Sequence, residues 1–382
     1  MQRLGCSLLL LMLIGGSVQA EPFVEGRALW VPAWEMTSPA GIRQMVALAE
    51  EYNFNCLFVQ VRYRGDTLYQ PNRRDSSHYN PEPRSRYLRG QAVDFDPLAL
   101  AIELAHEAGM SLHAWVTCFE ITGGYAPGDD THVVNQHREW VSYSNRSYMM
   151  PLGSRAWLDP GISAVRDYTT EVFLDLVANY EVDGLHLDYV RYHGPKMGFN
   201  PLALAEYRYE TGLAPADSSA KWADWRRAKI TDFVRQISLE AKRVRPGLIL
   251  SAAVFAGRTG TAYNDVSQDW GRWLDEGLID LLAPMAYSTN DTTLAQQLSD
   301  AVYVAGEIPI YAGLTLVDFS DDDRPLSVYE VNRHSHIARL HGAAGVALFS
   351  YTALKDMIAA GLTPEQLFSG QRSEPVFKVI DQ

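Results

Sequence analysis

The segment Val182–Tyr192, VDGLHLDYVRY, carries a histidine and an aspartate two residues apart in an otherwise largely apolar run. Side chains alternate along a β-strand, so the two leucines share one face and His186 and Asp188 share the other. A parallel strand covered on both faces is normally almost entirely apolar, so this polar pair needs a reason. An aspartate at the end of such a strand can serve as a nucleophile or stabilise a developing positive charge.

Similar groups recur where the other apolar segments end. The candidates for contacts with a substrate are Trp34, Gln60, Arg62, Asp66, His113, Trp115, His186, Tyr189, Arg191, Tyr287 and Tyr351. No serine or cysteine stands in a recognisable nucleophile motif. Carboxylates together with aromatic rings are typical of a sugar-processing site, where the carboxylates catalyse and the rings stack on sugar faces.

Structural alternatives stay open for several of these residues. Arg62 and Asp188 could form a satisfied ion pair inside the protein. The two histidines could be hydrogen-bonded interior residues, and each tryptophan could be ordinary core packing. Asp188 is the preferred functional residue because it combines an inward direction with a position at the end of a strand.

A hydrolase needs a second carboxyl group, and Glu120 is the first candidate for the general acid. Asp66 and Glu35 are the further candidates. Strict alternation opposes Glu120: if Trp115 faces inward, Glu120 faces outward unless the strand has already ended or bulged. If Glu120 does turn inward, a carboxyl separation of about 5–5.5 Å from Asp188 would indicate retention, and about 6.5–9.5 Å would indicate inversion.

The expected electrostatics at Asp188 follow from nearby cations. Arg62 and Arg191 are the candidate partners, and an opposite charge lowers the pKa of an aspartate. An ionised Asp188 suits a nucleophile or a stabiliser of an oxocarbenium-like transition state. His186 is expected to orient Asp188 through a hydrogen bond.

These residues must be positioned by the elements that carry them. Eight strand-like segments alternate with helical patterns, for example Arg27–Glu35 followed by a helix that begins with Ser38 as N-cap and Pro39. Such alternation implies parallel pairing through right-handed crossovers. The prediction is a single α/β domain, a (β/α)8 TIM barrel with long loops on the catalytic face. An open doubly wound sheet is the alternative, but no glycine-rich phosphate fingerprint follows a strand.

Three long segments follow the second, third and fourth strands, at residues 69–94, 121–154 and 193–219. On the catalytic face they would wall an elongated groove suited to a polymer. Trp34, Trp115 and Tyr287 are the expected stacking surfaces in it.

The N-terminal segment and the net charge of the chain limit where the protein is expected to act and what it is expected to bind. Residues 1–20 have the pattern of a secretory signal peptide with cleavage after Ala20, which leaves residues 21–382 as the barrel domain. A periplasmic or secreted protein is therefore expected, without a membrane span in the mature form. The 33 basic and 46 acidic residues give a net charge of −13 without basic blocks, which argues against nucleic-acid binding. A monomer is the working expectation.

No metal or cofactor is expected, because neither a CxxC nor an HExxH pattern occurs. Cys56 and Cys118 fall at opposite ends of adjacent strands, too far apart for a disulfide, so two buried thiols are predicted.

The sequence resembles glycosyl hydrolase-like family ten, a family of exported bacterial barrel proteins. The matching stretches are RALWV, NCLFVQVRYRGDTLY, FDPLALAIELAHEAGMSLHAW, WLDPGISAVRDY, VDGLHLDYVRY and IDLLAPMAY. The resemblance implies a (β/α)8 glycosidase fold and, from proteobacterial members, cleavage of cell-wall glycan in the periplasm. The aspartate of the fourth strand is similar in position to the nucleophile of α-amylase-like and α-galactosidase-like barrels, which would carry over to Asp188.

Two departures concern the general acid. Family members often continue HAW with an Asn-Pro-Tyr type of ending, where this chain has VTCFEITGG, and the fifth strand, SAAVFAGRTG, has no carboxylate. The leading hypothesis is a hydrolase of a bacterial polysaccharide, peptidoglycan glycan strands above all. A glycan-binding barrel without catalysis is the alternative. An isomerase of a phosphorylated substrate is the third, and the acidic run Asp321–Asp323 would repel phosphate.

Overall fold

The computed structural model describes residues 24–124, 127–153, 155–214, 219–370 and 372–377. The expected signal peptide lies outside the described residues. The strands are β1 (Gly26–Val31), β2 (Cys56–Arg62), β3 (Ser111–Thr117), β4 (Gly184–Asp188), β5 (Ile249–Phe255), β6 (Leu281–Met285), β7 (Tyr311–Thr315), β8 (Val317–Asp318), β9 (Arg324–Pro325) and β10 (Gly345–Phe349). The helices are α1 (Pro39–Glu51), α2 (Pro97–Glu107), α3 (Val133–Gln136), α4 (Ser163–Asn179), α5 (Pro201–Thr211), α6 (Ala220–Val244), α7 (Trp270–Asp275), α8 (Asp291–Ala305), α9 (Val328–Leu340) and α10 (Tyr351–Ala359).

Eight parallel strands close into a barrel in the order β1-β10-β7-β6-β5-β4-β3-β2, while β8 and β9 form a separate antiparallel ribbon. The ring closes where Gly26–Trp30 of β1 pairs with Gly345–Phe349 of β10. Helices connect the successive barrel strands, which confirms the predicted (β/α)8 fold. Among the described residues, no helix combines the length and the apolar character needed to cross a membrane.

The helix starts follow local capping chemistry. Ser38 caps α1 as predicted, and its side chain accepts a hydrogen bond from the Gly41 amide at 3.1 Å. Pro39 at the first helical position loses nothing there, since that amide would lack an intrahelical partner in any case. Ser327 and Glu330 form a reciprocal capping box at the start of α9. These caps fix the residues at which the two helices begin, after the strand ends that carry the candidate site.

Two apolar cores result from the alternation of side chains. One set of strand side chains packs outward against the helices, with Leu185 and Leu187 of β4 fully buried there as predicted. The other set fills the barrel interior with Trp30, Phe58 and Trp115 among its large members. Cys56 and Cys118 are both free and buried, as predicted.

A β-bulge near the end of β2 interrupts the alternation of side chains between Gln60 and Arg62. Gln60 pairs with Trp115 of β3, whereas Arg62 pairs with the next residue, Val116, so β2 contains one extra residue. The extra residue turns Arg62 to the outer side, where its guanidinium lies 5.6 Å from the ring of Phe173 on α4. Arg62 therefore cannot be an interior partner of Asp188.

The loop after β2 also differs from the expectation. The prediction placed residues 69–94 as a wall of the catalytic groove. Instead, the Asn72 amide donates to Asp175 at 2.8 Å, and the Arg74 amide donates to Asn179 at 2.6 Å, so this part of the loop runs along the outside of α4. The portion around Tyr87 stays near the strand ends, where its ring lies 6.3 Å from that of Tyr63.

Candidate active site

An open cavity of about 180 Å³ lies over the C-terminal ends of the barrel strands. Its aromatic lining comes from Trp30, Trp34, Tyr63, Trp115, Tyr287 and Phe349, and its polar groups are Gln60, Asp188, Tyr189 and Arg191. The site thus draws on most of the strands at the end of the barrel where such proteins carry their active sites. The flat rings and the small number of polar groups are suited to a sugar ring.

Asp188, the last residue of β4, is the only carboxyl group among the described residues that line this cavity. Its Oδ2 accepts a hydrogen bond from the Trp115 indole N–H at 3.0 Å, and its Oδ1 accepts from the Tyr189 amide at 2.7 Å. Tyr189 has a left-handed φ of 53°, a conformation that costs a non-glycine residue about 1–2 kcal/mol. The hydrogen bonds from Trp115 and from the Tyr189 amide together fix the orientation of the carboxyl group.

The electrostatic prediction for Asp188 is wrong in direction. Burial raises its pKa to about 6, against the lowering effects of the Arg191 charge and of the hydrogen bonds from the Tyr189 amide and Trp115. The charge of Glu120 raises the pKa further. Asp188 is only 7% exposed, and it forms no ion pair with Arg191, so desolvation outweighs the cation.

His186 does not orient Asp188, contrary to the prediction. Its Nδ1 lies 2.9 Å from the Ser251 hydroxyl, and its Nε2 accepts the indole N–H of Trp30 at 3.1 Å. Its ring stacks on Phe58 with centroids 4.1 Å apart. His113 reaches the same Ser251 hydroxyl at 3.2 Å. Both histidines thus belong to a buried layer below the cavity, in line with the structural alternative.

Glu120 follows β3 and does not line the cavity. Arg155 binds it in bidentate fashion, with Nε to Oε1 at 3.0 Å and Nη2 to Oε2 at 2.7 Å. The same Nη2 reaches the Tyr189 hydroxyl at 3.1 Å. Because β3 ends at Thr117, alternation no longer governs Glu120, which instead pairs with Trp157 in an antiparallel bridge. Arg155 therefore covers the predicted general acid while leaving its charge within reach of Asp188.

Arg191 lies among aromatic rings at the edge of the cavity. Its guanidinium carbon lies 4.7 Å from the ring centroid of Tyr189, 4.9 Å from Phe255 and 5.1 Å from Trp157. Burial lowers its pKa, against the raising effect of the Asp188 charge. Held in this way, the guanidinium is a fixed positive group beside Asp188 that can contact a sugar hydroxyl.

Of the other predicted site residues, some line this cavity and some lie elsewhere. Gln60 is fixed by the Ala33 amide, which donates to its Oε1 at 3.1 Å, and Trp34 is 44% exposed at the rim. Asp66 lines a different cavity, and Tyr351, the first residue of α10, is buried and does not line the one over Asp188. Glu35 is bound by Lys355 at 2.6 Å, so the third candidate acid is also engaged.

Sequence reasoning missed three residues around the site. Trp30 follows Ala28 by two positions on the inner face of β1, so alternation could have identified it. Tyr63 directly follows β2, and the bulge hid its direction. Arg155 comes from a loop and carries no periodic signal. The described parts of the chain contain no group of three or more His, Cys, Asp or Glu side chains arranged to hold a metal ion.

A parallel eight-stranded barrel with an aromatic cavity over a buried aspartate defines a glycosidase-like barrel protein. The chain belongs to the family described as Glycosyl hydrolase-like 10, whose sequence model matches residues 26–316. This confirms the resemblance seen in the sequence.

Two curated relatives carry glycosyl hydrolase names. Glycosyl hydrolase DigH of Escherichia coli (strain K12) is 28% identical over 286 residues, which cover 66% of this chain and 60% of DigH. Glycosyl hydrolase YngK of Bacillus subtilis (strain 168) is 25% identical over 315 residues, 72% of this chain and 58% of YngK. The matched part thus spans only about three fifths of each relative.

Solved structures show the same fold at low identity. The PgaB (BpsB) glycoside hydrolase domain from Bordetella bronchiseptica aligns with a TM-score of 0.65 and 17% identity, over 90% of this chain and 98% of that domain. The α-L-fucosidase isoenzyme 2 from Paenibacillus thiaminolyticus aligns with a TM-score of 0.64 and 14% identity, over 91% of this chain and 49% of that protein. At these identities the likeness establishes the barrel architecture alone.

Proposed function

We propose that this protein is an exported glycoside hydrolase that cleaves a bacterial polysaccharide in the cavity over Asp188. One observation carries the proposal: a buried aspartate at the end of β4, held by two N–H donors, forms the single carboxyl group among the described cavity-lining residues. Family membership and the glycosyl hydrolase names of the relatives support the same reaction class.

The pKa of Asp188 suggests its role. A carboxyl group whose pKa is raised to about 6 retains a proton at mildly acidic pH and can pass it to a leaving glycosidic oxygen. This assigns Asp188 as the general acid rather than the nucleophile expected from the sequence. A water molecule then adds to the anomeric carbon of the oxocarbenium ion and releases its proton to solvent. Glu120, bound through both oxygens by Arg155 outside the cavity, acts on the reaction only through the effect of its charge on the pKa of Asp188.

For the substrate we propose peptidoglycan glycan strands. The support is the resemblance to exported family members and an open cavity whose aromatic rim, at Trp34 and Tyr63, continues onto the loop after β2 through Tyr87. Purified peptidoglycan glycans and a panel of neutral polysaccharides, incubated with the protein and followed by mass spectrometry, decide between them. Release of products only from a neutral polymer would refute this choice of substrate.

Asp188→Asn tests the catalytic assignment. The variant preserves the size of the side chain and removes the acid, so we expect it to fold and bind glycan while losing at least about 100-fold in turnover. Binding to an insoluble glycan and circular dichroism provide the controls. Activity within about threefold of wild type, a barrier change below about 1 kcal/mol, would make Asp188 structural.

A glycan-binding protein without catalysis is the second candidate, and one observation favours it. Arg155 occupies both oxygens of Glu120, so the second carboxyl group does not face the cavity of the free protein. Saturable glycan binding, without product release over prolonged incubation across a range of pH, would support this function instead.

A further inference from the structure

A second cavity, of about 380 Å³, opens beside the end of β2. Three arginines, Arg84, Arg86 and Arg89, line it within six residues of sequence, although the chain as a whole carries a net charge of −13. We call this cavity the arginine pocket. Such a local excess of guanidinium groups on an acidic protein is suited to an anionic group, because the planar fork of arginine matches a carboxylate.

The positive charges of Arg84 and Arg89 in the arginine pocket are not neutralised by ion pairs within the described residues. Arg84 is held by the carbonyl oxygens of Val93 and Ala92, at 2.7 and 2.9 Å, which satisfy N–H groups without removing the positive charge. Arg89 is exposed and has no ion-pair partner among the described residues. On the acidic side, Asp129 faces the pocket, and hydrogen bonds from Thr131 lower its pKa and keep it ionised.

A buried polar atom also faces the arginine pocket. Asp66 is 6% exposed, and its Oδ1 has no hydrogen-bond partner. Burial raises its pKa to about 7, against hydrogen bonds from the Ser85 side chain and the Arg86 amide. Near neutral pH about half of the molecules therefore carry a protonated Asp66, which can donate a hydrogen bond to a bound ligand. Burying such an atom without a partner is costly, and a ligand oxygen would satisfy it by accepting a hydrogen bond from the protonated carboxyl group.

Aromatic rings connect the cavity over Asp188 with the arginine pocket. The Trp34 and Tyr63 rings, both in the lining of the first cavity, have centroids 6.3 Å apart. Tyr63 and Tyr87 are nearly parallel, also at 6.3 Å, and the guanidinium of Arg86 lies 5.7 Å from the Tyr87 ring. Each step is comparable to the length of one sugar unit, so a glycan chain can follow the rings from one cavity to the other.

We propose that the arginine pocket binds a carboxylate carried by the polysaccharide, on a sugar held against Tyr87 beyond the cleavage site. Arg86 and Arg89 bind the carboxylate oxygens, and protonated Asp66 keeps its proton and donates a hydrogen bond to one of them. This inference rests on the proposed function, because it assigns to the same glycan a second point of recognition.

The test measures binding rather than cleavage, so that it does not depend on turnover. The Asp188→Asn protein is titrated with a sugar-carboxylate glycan and with the same glycan after its carboxyl groups have been reduced to alcohols. We expect the native glycan to bind about tenfold more tightly. Arg86→Gln together with Arg89→Gln should remove that preference and leave the affinity for the reduced glycan unchanged.

Arg43→Gln together with Arg243→Gln is the matched control, because both residues are exposed on α1 and α6 and the change in net charge is the same. The control should keep the tenfold preference. Equal binding of both glycans, or equal losses in the two double variants, would overturn the proposal. Failure of the wild-type protein to cleave either glycan would contradict the hydrolase function while leaving the binding result to decide the role of the arginine pocket.

Discussion

At the scale of single residues, the environment of Asp188 determines what it can do. A charged neighbour alone would have favoured a permanently ionised nucleophile, but burial dominates and raises the pKa to about 6. The Trp115 indole N–H and the Tyr189 amide pull in the opposite direction. Of these two donors, only the indole of Trp115 belongs to a side chain, so a substitution can remove it without changing the carboxyl group.

Trp115→Phe should shift the pH dependence of the proposed glycan hydrolysis. If Asp188 is the acid, kcat/KM of the wild type falls as pH rises through about 6, because the proton is lost. Removing the indole N–H, which donates to Asp188 at 3.0 Å, destabilises the ionised form and raises the pKa. The alkaline limb of the profile should then move to higher pH.

Trp30→Phe is the control for that experiment, since its indole N–H donates to His186 and not to Asp188. Its pH profile should overlay that of the wild type. A limb on the acidic side near pH 6 in the wild type would instead mean that Asp188 acts as a base or nucleophile. An unmoved limb in Trp115→Phe would show that the hydrogen bond does not act on the titrating group.

At the scale of elements, the bulge in β2 converts an apparent site residue into a structural one. Arg62 and Glu82 form a fully buried ion pair, with Arg62 Nε donating at 2.8 Å, and the Tyr168 hydroxyl also donates to Glu82 at 3.2 Å. This pair ties the end of β2 to the following loop and to α4. The same loop also carries the arginines of the arginine pocket, so the buried ion pair helps to hold that pocket in place.

Arg62→Met alone should lower the free energy of unfolding by about 3–5 kcal/mol, because Glu82 would remain buried without its cation. Adding Glu82→Leu to the same chain should restore much of that loss, since an apolar pair can replace a buried ion pair. Denaturant unfolding of both variants gives the comparison. A stable Arg62→Met protein that has lost glycan turnover would show that Arg62 belongs to the site after all.

Strands β4 and β2 show which side-chain directions can be predicted from the sequence and which cannot. Alternation correctly placed Leu185 and Leu187 outward and His186 and Asp188 inward, because β4 is regular over its whole length. It failed at Arg62, since a one-residue bulge reverses every side chain beyond it and leaves no mark in the pattern of apolar residues.

The contacts and the pKa shifts around the site could not be predicted from the sequence for a different reason. Arg155, which covers Glu120, comes from a loop whose position depends on long-range packing. The sign of the pKa shift at Asp188 depends on a competition between burial and the Arg191 charge, and a sequence states neither depth nor distance. Residue types at strand ends thus predicted which side chains line the cavity better than they predicted the contacts and the pKa shifts of those side chains.

At the scale of the whole molecule, one end of the barrel carries the cavity and the other end contributes to stability. The C-terminal ends of the strands carry the cavity, while residues 372–377 lie against the opposite end. There the Glu25 amide donates to the Glu374 carbonyl at 2.9 Å, and Val376 and Phe377 pack on the interior cluster. Changes at this end should affect stability rather than recognition of glycan.

A chain that stops after residue 371 tests that separation. We expect it to lose about 2–4 kcal/mol of unfolding free energy through exposure of the apolar interior, with KM for glycan unchanged. The full-length protein, unfolded under the same conditions, is the control. Loss of glycan binding in the shorter chain at full stability would contradict this division of labour.

The pairing of β1 with β10 joins residues that are more than three hundred positions apart in the chain. This separation affects how the barrel folds. No ring exists until the last strand is available, so a nascent or prematurely terminated chain has the free edges of β1 and β7 open to any other strand. Contacts of such sequence separation also form slowly. Fragments of this protein that end before Gly345 should therefore self-associate, whereas the complete ring has no edge to offer.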